Sequence, residues 1–223
     1  MPDALPIPAA LRIDFVSDVV CPWCAIGLAA LEQALERTRG EVEADIHFQP
    51  FELNPQLGAE GMDAAEHLLK KYGMPADQLA ANQEAIRARG AALGFTFDMA
   101  RRRRIHNTFD AHRLLHWAGD VGHQRELKHA LLRAYFTDGR DVSDHDTLVD
   151  IANNVGLPAD RARQIMASDT YVEDVRTVEQ FFLQQGINAV PAVIIDRKHL
   201  ISGGQPVEVF ERALREIAAA KRD

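Results

Sequence analysis

The sequence predicts an α/β fold in which a β-α-β segment and an α-β-β-α segment are separated by a large, all-helical insertion. A strand-like run leads directly into a helix-like run near the amino end, and two short strand-like runs lie close together near the carboxyl end. The long stretch between them has helical patterns and hardly a run of β-branched residues. We therefore expect one sheet domain made of residues 1–61 and 169–223, with residues 62–168 inserted as a helical domain.

The first unit is predicted to be a strand, a helix and a second strand. Residues 11–16 are rich in apolar side chains and predict the first strand. Apolar side chains recur at helical spacing over residues 22–39, before a glycine that ends the helix. Residues 44–49 alternate apolar and polar side chains and predict the second strand. Residues 1–10 are rich in Pro and Ala, and we expect them to form a loose arm.

The middle of the chain consists of helical segments separated by Gly, Pro and Asp. Pro75 is suited to a first helical turn, and it begins a segment in which Leu79, Ile86 and Leu93 recur at heptad spacing. Similar patterns predict further helices near residues 108–118, 124–137, 143–155 and after Pro158.

The last unit returns the chain to the sheet. Residues 170–185 predict a helix followed by a stop glycine. Residues 192–195 and 199–202 are short enough, and close enough, to pair as an antiparallel hairpin. A final helix begins near Pro206 and completes the α-β-β-α unit.

Length, composition and charge exclude several classes of protein. With 223 residues, 47% hydrophobic and 26% charged, the chain can bury a substantial core. Its net charge of -8 argues against nucleic acid or an anionic membrane as partner. No run approaches the roughly 18 apolar residues of a membrane helix, and the first residues lack the basic and apolar regions of a secretory signal. We therefore expect a cytoplasmic protein.

Both cysteines of the chain lie at the start of the first predicted helix, in the motif Cys21-Pro22-Trp23-Cys24. Pro22 suits a first turn because that position needs no backbone donor. The unpaired N–H groups and dipole of a helix start stabilise an anion, so we expect Cys21 to be the nucleophilic thiolate. Cys24 can approach its sulfur, and a disulfide that closes so short a loop is readily reduced. The pair therefore predicts a redox-active disulfide rather than a structural one.

The order of the elements and two of their motifs resemble those of the DsbA family, whose members have a thioredoxin fold with a helical insertion. The first motif is the cysteine pair between strand and helix, and the second is Val190-Pro191 before the hairpin. The resemblance covers nearly the whole chain. Four phrases are similar to the FrnE-like branch of that family, namely residues 15–18, 50–55, 107–113 and 201–206.

The resemblance implies a dithiol-disulfide oxidoreductase that exchanges disulfides with protein or small-molecule thiols. In the family the first cysteine forms the mixed disulfide with substrate and the second resolves it, and Cys21 and Cys24 match these positions. Val190 and Pro191 match the family's substrate-binding residue and its cis-proline, and Trp23 is expected to contact substrate as well. No cofactor besides the redox-active disulfide is implied, and glutathione can serve as co-substrate.

Four further residues are candidates for supporting roles. Asp14 lies inside the first strand, where relatives of the thioredoxin type often carry a buried carboxylate behind the second cysteine. It is a candidate acceptor for the Cys24 proton, and a solvated Asp at a sheet edge is the alternative. Asn107, Asp110 and His112 are expected to line or brace the cleft between the domains.

The residue types and their spacing argue against a metal site. Structural zinc usually needs four ligands, and the chain has no cysteines beyond the pair. His112 and His116 lie one helical turn apart but lack the His-Glu-x-x-His arrangement. We therefore predict no metal. Residues 101–104 are expected to form a solvated helix face, and residues 51–54 a packing and turn element.

Two other function classes stay open. Glutathione-dependent enzymes of the 2-hydroxychromene-2-carboxylate isomerase and kappa transferase type resemble this fold, but they tend to have Ser at the position of Cys21 and to lack the second cysteine. A binding or chaperone module would use the cleft without the thiol. Replacement of Cys21 by Ser therefore separates the redox enzyme from the binding module.

Overall fold

The computed structural model describes residues 10–58, 60–73 and 75–221. Residues 1–9 of the expected arm lie outside these ranges. The elements of the described residues, in chain order, are β1 (Leu11–Ser17), α1 (Pro22–Arg37), β2 (Ala44–Pro50), β3 (Met62–Asp63), α2 (Ala64–Tyr72), α3 (Ala76–Ala92), β4 (Arg104–Ile105), α4 (Phe109–Asp120), α5 (Gln124–Phe136), α6 (His145–Asn154), α7 (Ala159–Met166), α8 (Val172–Gln184), β5 (Ala192–Ile195), β6 (His199–Ser202) and α9 (Val207–Ala220).

The central sheet has four strands in the order β2-β1-β5-β6. Strand β1 runs parallel to β2, as a crossover through α1 requires. Strand β5 is antiparallel to both β1 and β6. The predicted β-α-β unit, hairpin and final helix are therefore confirmed.

The two faces of β1 pack against different parts of the molecule. Ile13 and Phe15 belong to the main core, which also contains apolar side chains of α1, α5 and α9. Val16 belongs to a second cluster with Phe182 of α8. Because successive side chains of a strand point to opposite faces, odd-numbered residues of β1 meet the main core and even-numbered residues meet α8.

The segment between β2 and α8 contains six helices in its described part, together with a small sheet of β3 and β4. The expectation of an all-helical insertion is wrong at these two strands, which have two residues each and are too short to show an alternating pattern. Helix α2 was also not predicted. Asp63 caps its start by accepting hydrogen bonds from the N–H groups of Ala65 and Glu66.

Helix α5 covers the outer edge of β2. The side-chain amide of Gln124 donates a hydrogen bond of 3.0 Å to the carbonyl of Phe48 and accepts one of 2.9 Å from its N–H group. These bonds satisfy backbone groups that would otherwise be unpaired on an edge strand. They also hold α5 beside the sheet, close to α1. No helix in the described part of the chain is long and apolar enough to span a membrane.

Candidate active site

The cysteine motif lies where β1 leads into α1. Cys21 is the N-cap residue of α1, and Pro22 occupies the first helical position. The N–H group of Cys24 donates a 3.1 Å hydrogen bond to the carbonyl of Cys21, which closes the first turn. Both cysteines are buried and not joined by a disulfide, so the structure corresponds to the reduced dithiol.

Cys21 faces a cavity of about 660 Å³. Its thiol donates a long hydrogen bond to the carbonyl of Val190, with 3.8 Å between sulfur and oxygen. The Val190–Pro191 peptide bond is cis. Trp23 and Val190 line this cavity with Cys21, so three of the predicted site residues meet at one surface. Cys24 is fully enclosed and does not line it.

Two glycines allow the motif to lie against Pro191 and the loop after β6. A Cβ atom on Gly27 of α1 would lie 3.1 Å from Cγ of Pro191. A Cβ atom on Gly204 would lie 2.9 Å from the carbonyl oxygen of Trp23. Only residues without a side chain permit this close approach of two backbones. The packing of the cysteine helix thus explains Gly204, whereas Gly203 has a positive φ of 82°, which favours glycine.

Arg89 of α3 connects the insertion to the cysteine motif. Its guanidinium carbon lies 5.4 Å from the ring centroid of Trp23, within range of a cation–π interaction. It also donates a 2.7 Å hydrogen bond to the carbonyl of Gly204. Arg89 could not be identified from the sequence, because nothing in a helical pattern marks an arginine that contacts another element.

Further residues that line the cavity correct two expectations. Residues 51–54 all line the cavity, so they are more than a packing and turn element. Residues 101–104 lie between α3 and α4, in a turn and at the first residue of β4, so the expected helix face is wrong. Arg102 also lines the cavity and is only 8% exposed, whereas its three neighbours in the run are exposed. Lys71 lines it as well and donates hydrogen bonds to the carbonyl of Leu53 and to Oδ1 of Asn54. This part of the cavity is therefore cationic and polar.

Behind Cys24 the core contains charged groups. Asp18 and Lys128 are both fully buried. The carboxylate of Asp18 accepts a 2.7 Å hydrogen bond from the N–H group of Leu53, and its Oδ1 lies 3.6 Å from Nε2 of His112. Nζ of Lys128 has no hydrogen-bond partner among the described residues. Neither Asp18 nor Lys128 was identified from the sequence.

The electrostatics of this group follow from its burial. Burial raises the pKa of the Cys24 thiol well above its ordinary value, and the adjacent Cys21 thiol raises it further, while the charge of Lys128 acts in the opposite direction. Burial lowers the pKa of Lys128, against the charges of Cys24 and Asp18. Burial alone would raise the pKa of Asp18, but His112 and the Leu53 N–H group outweigh it and lower that pKa. The Cys24 thiol is thus held neutral beside an anionic Asp18.

Asp14 does not belong to this group, and its expected role as proton acceptor is corrected. The alternative of a solvated Asp at a sheet edge is wrong as well, because Asp14 is only 3% exposed on an inner strand. Its carboxylate is bound by Arg12 and Gln49, at 2.7 Å each. As an even-numbered residue of β1 it faces α8, whereas Cys24 packs in the main core with Phe15 on the other face. The sheet therefore separates the Asp14 carboxylate from the Cys24 thiol.

Asn107, Asp110 and His112 brace the molecule and do not line the Cys21 cavity. The amide of Asn107 donates a hydrogen bond to the carbonyl of Leu57, and Asp110 forms a 2.7 Å ion pair with Arg113. His112 approaches Asp18 as described above. Asn107 and Asp110 therefore brace the molecule, whereas His112 also lines a second cavity.

His112 and His116 face a second cavity, which lies between β2, α4 and α5. The ring of His116 lies 5.2 Å from that of Tyr171, measured between centroids. Within the part of the chain that the structure describes, no three His, Cys, Asp or Glu residues are grouped so that they could hold a metal ion.

A four-stranded mixed sheet with a dithiol at the start of the helix after its central strand defines a protein of thioredoxin fold. The chain belongs to the family of the DSBA-like thioredoxin domain, whose model matches residues 12–215.

Several known proteins are similar to the chain over most of its length. The crystal structure of a probable DsbA oxidoreductase, SCO1869 from Streptomyces coelicolor, is 35% identical with a TM-score of 0.89, and the match covers 96% of this chain and 92% of that one. The uncharacterized protein YwbO of Bacillus subtilis is 27% identical over 207 residues, which are 92% of this chain and 96% of YwbO. The cytosolic disulfide reductase DsbM of Pseudomonas aeruginosa, solved with GSH, shares the fold at 14% identity, with a TM-score of 0.66 and coverage of 93% and 99%.

Proposed function

We propose that the protein is a dithiol-disulfide oxidoreductase that acts through Cys21-Pro22-Trp23-Cys24. The observation that carries this proposal is the unequal placement of the two sulfurs. Cys21 faces a cavity large enough for a substrate, whereas Cys24 is fully enclosed behind it. Such an arrangement lets one sulfur meet the substrate and reserves the other for an internal second step.

The reaction has two displacement steps. The Cys21 thiolate attacks one sulfur of a substrate disulfide, which forms a mixed disulfide and releases the other substrate sulfur as a thiolate. The Cys24 thiolate then attacks the Cys21 sulfur. A Cys21–Cys24 disulfide forms, the mixed disulfide breaks, and its electron pair leaves with the second substrate thiolate. Substrate oxidation is the same sequence in reverse.

The substrate would lie between Trp23 and the cis Val190–Pro191 peptide, where backbone groups near the Cys21 sulfur can hold an extended chain. Protein and small-molecule thiols both fit this chemistry. Glutathione is the small-molecule co-substrate we propose, because Lys71 and Arg102 place positive charge on the wall of the cavity that Cys21 faces. The related fold of DsbM, which was solved with GSH, is consistent with that choice. The dithiol chemistry fits a reducing compartment such as the cytoplasm, where we propose that the protein works.

Replacement of Cys24 by Ser tests the proposed function. Cys24→Ser should retain attack by Cys21 but not resolution, so it should accumulate mixed disulfides with oxidised glutathione or with a protein disulfide. Mass spectrometry before and after reduction measures this product. Cys21→Ser is the matched control and should accumulate none, with loss of insulin-disulfide reduction.

Two outcomes would overturn the proposal. One is a Cys21→Ser variant with full activity, as a binding or chaperone module would give. The other is glutathione-dependent isomerase activity that persists without Cys24, which would favour the isomerase class.

A further inference from the structure

Lys128 occupies a buried position, where a lysine costs free energy of folding. Its side chain is fully buried on α5, next to Leu127 and close to Leu131 on a helix face that is otherwise apolar. Nζ makes no hydrogen bond within the described residues and lies 6.0 Å from the ring centroid of Phe48. Burial of an ammonium group without a partner is strongly unfavourable, so lysine is rarely fully buried unless it is paired. Packing alone therefore gives no reason for a lysine here.

The groups that act electrostatically on Lys128 are those of the dithiol and its surroundings. The charges of Cys24, Asp18 and Cys21, in that order, favour the ammonium form, and burial opposes them. In return, the charge of Lys128 favours the thiolate of Cys24. Asp18 accepts hydrogen bonds from the backbone N–H groups of Val20 and Leu53, and Cys21 is held in the mixed disulfide during resolution. Cys24 is therefore the group among these three whose charge changes in that step.

Lys128 also lines the second cavity, which has a volume of about 490 Å³ and shares no lining residue with the substrate cavity. We call it the back cavity. Its rim includes exposed residues of β2, α4 and α5, and its inner wall includes Lys128 and His112, each with a buried nitrogen that lacks a hydrogen-bond partner among the described residues. The volume is large enough for several water molecules. The other titratable groups that line it are Asp45, His47, His116, Asp120, Arg125 and Glu126.

We propose that Lys128 is a positioning residue that stabilises the Cys24 thiolate during resolution of the mixed disulfide, and that the back cavity keeps its ammonium group in exchange with solvent. The proposal rests on the proposed function, because only an exchange reaction needs a Cys24 thiolate. The helical insertion then takes part in both chemical steps. It lines the substrate cavity for formation of the mixed disulfide, and through Lys128 it assists resolution by Cys24.

The resolution step is then balanced as follows. The Cys24 S–H group loses its proton to solvent, and the negative charge left on sulfur is offset by the Lys128 ammonium group. The Cys24 thiolate attacks the Cys21 sulfur, the new Cys21–Cys24 bond forms, and the bond between Cys21 and the substrate breaks with its electron pair on the substrate sulfur. In the opposite direction a substrate thiolate attacks the Cys21 sulfur, the Cys21–Cys24 bond breaks with its electron pair on Cys24, and the Cys24 thiolate takes a proton back from solvent.

Lys128→Met tests this role because it keeps an unbranched side chain of similar length and removes the charge. The pre-formed mixed disulfide of Cys21 with glutathione is prepared, and the rate of glutathione release is followed from pH 6 to pH 10. A nearby charge shifts a pKa by about one unit or more, so we expect release at pH 7 to slow by roughly tenfold and the pH profile to move upward by about one unit. Formation of the mixed disulfide by Cys21 should change by less than about threefold.

Arg125→Gln is the matched control. Arg125 also lines the back cavity, but it is exposed and paired with Glu32. A solvent-screened charge at the rim should shift the profile little. Lys128→Arg should restore part of the wild-type profile, since it restores the charge. A Lys128→Met profile that coincides with wild type, or one shifted equally by Arg125→Gln, would overturn the role of Lys128.

A measurement without substitution of Lys128 keeps the test valid if Lys128→Met does not fold. The NMR titration of Lys128 is compared between the reduced wild type and Cys24→Ser. Cys24 is neutral below its raised pKa, so its charge can change the Lys128 signal only at higher pH. The wild type should therefore show a second titration step there that Cys24→Ser lacks, and identical curves for the two proteins would contradict the proposed pairing. Failure of the proposed function would look different, since Cys24→Ser would then trap no mixed disulfide at all.

Discussion

The two sulfurs of the motif are three residues apart in sequence, but their surroundings differ. Cys21 faces a cavity of about 660 Å³ beside a cis peptide bond, where a substrate can reach it. Cys24 is enclosed among apolar side chains and the buried charges of Asp18 and Lys128. Residues on the cavity side of the motif thus control the access and orientation of substrate at Cys21. Residues on the core side control the protonation of Cys24. Changes on the two sides should therefore affect different steps of the reaction.

The largest effect is expected on the cavity side, from Gly204→Ala. The added Cβ atom would lie 2.9 Å from the carbonyl oxygen of Trp23, so α1 and the loop after β6 must move apart. A displacement of about 1 Å at a reacting group can cost roughly 10²-fold in rate, and we expect a loss of that size in formation of the mixed disulfide. Stopped-flow kinetics with a disulfide substrate measures it.

Gly58→Ala is the control for this prediction. Its added Cβ atom would meet only the end of the flexible Glu60 side chain, which can move away. We expect activity within about twofold of wild type there, as for most surface substitutions. Wild-type rates of mixed-disulfide formation in Gly204→Ala would show that the close approach does not position Cys21.

On the core side, Asp18→Ala should reduce stability more than it changes substrate access. It leaves the N–H group of Leu53 without its 2.7 Å acceptor, and loss of a hydrogen bond to a charged group costs about 1.5–3 kcal/mol. Urea unfolding at pH 7 measures this change. Asp18→Asn is the matched variant, because it removes the charge and retains an oxygen acceptor. An equal loss in both variants would mean that charge, and not the hydrogen bond, carries the stability.

The Asp18 carboxylate also makes the free energy of unfolding of the wild type depend on pH. The pKa of Asp18 is lower in the folded protein than in the unfolded chain, so its ionised form contributes stability above the unfolded pKa near 3.9. That contribution is lost as the pH falls through the lower, folded pKa. The free energy of unfolding of the wild type should therefore fall more steeply below about pH 4 than that of Asp18→Asn. Parallel curves for the two proteins would contradict this assignment.

More residues of the cavity side than of the core side could be predicted from the sequence. Cys21, Trp23 and Val190 lie together as expected, since short motifs with fixed spacing and a resemblance to a family identified them. The strands at residues 192–195 and 199–202 also have their predicted bounds, because Gly and turn residues mark their ends. Local patterns of this kind are visible without knowledge of tertiary contacts.

The core side depends on contacts that no local pattern reveals. Strand β1 is buried on both faces, so its sequence does not show which side chains meet α1, and Asp14 was assigned to the wrong face. Lys128 occupies a buried position of α5 that an amphipathic pattern reserves for apolar residues. Its relation to Cys24 arises only when α5 packs beside β2. Arg102 was likewise expected in solvent because it lies within a run of arginines.

The smallest effect is expected from Arg89→Met, which tests whether the insertion supports the cavity side as well as the core side. The substitution removes the interaction with the Trp23 ring and the hydrogen bond to Gly204, each with a net value of about 0.5–1 kcal/mol. We expect a rise in KM of roughly three- to tenfold with kcat nearly constant, because Trp23 and Gly204 hold the substrate surface and not the sulfur itself. Arg87→Met is the control, since Arg87 lies on the same helix and, within the described residues, pairs with Glu84 at the surface. A fall in kcat without a change in KM would mean that Arg89 acts on the cysteines, and the two sides of the motif would then be coupled through α3 as well as through α5.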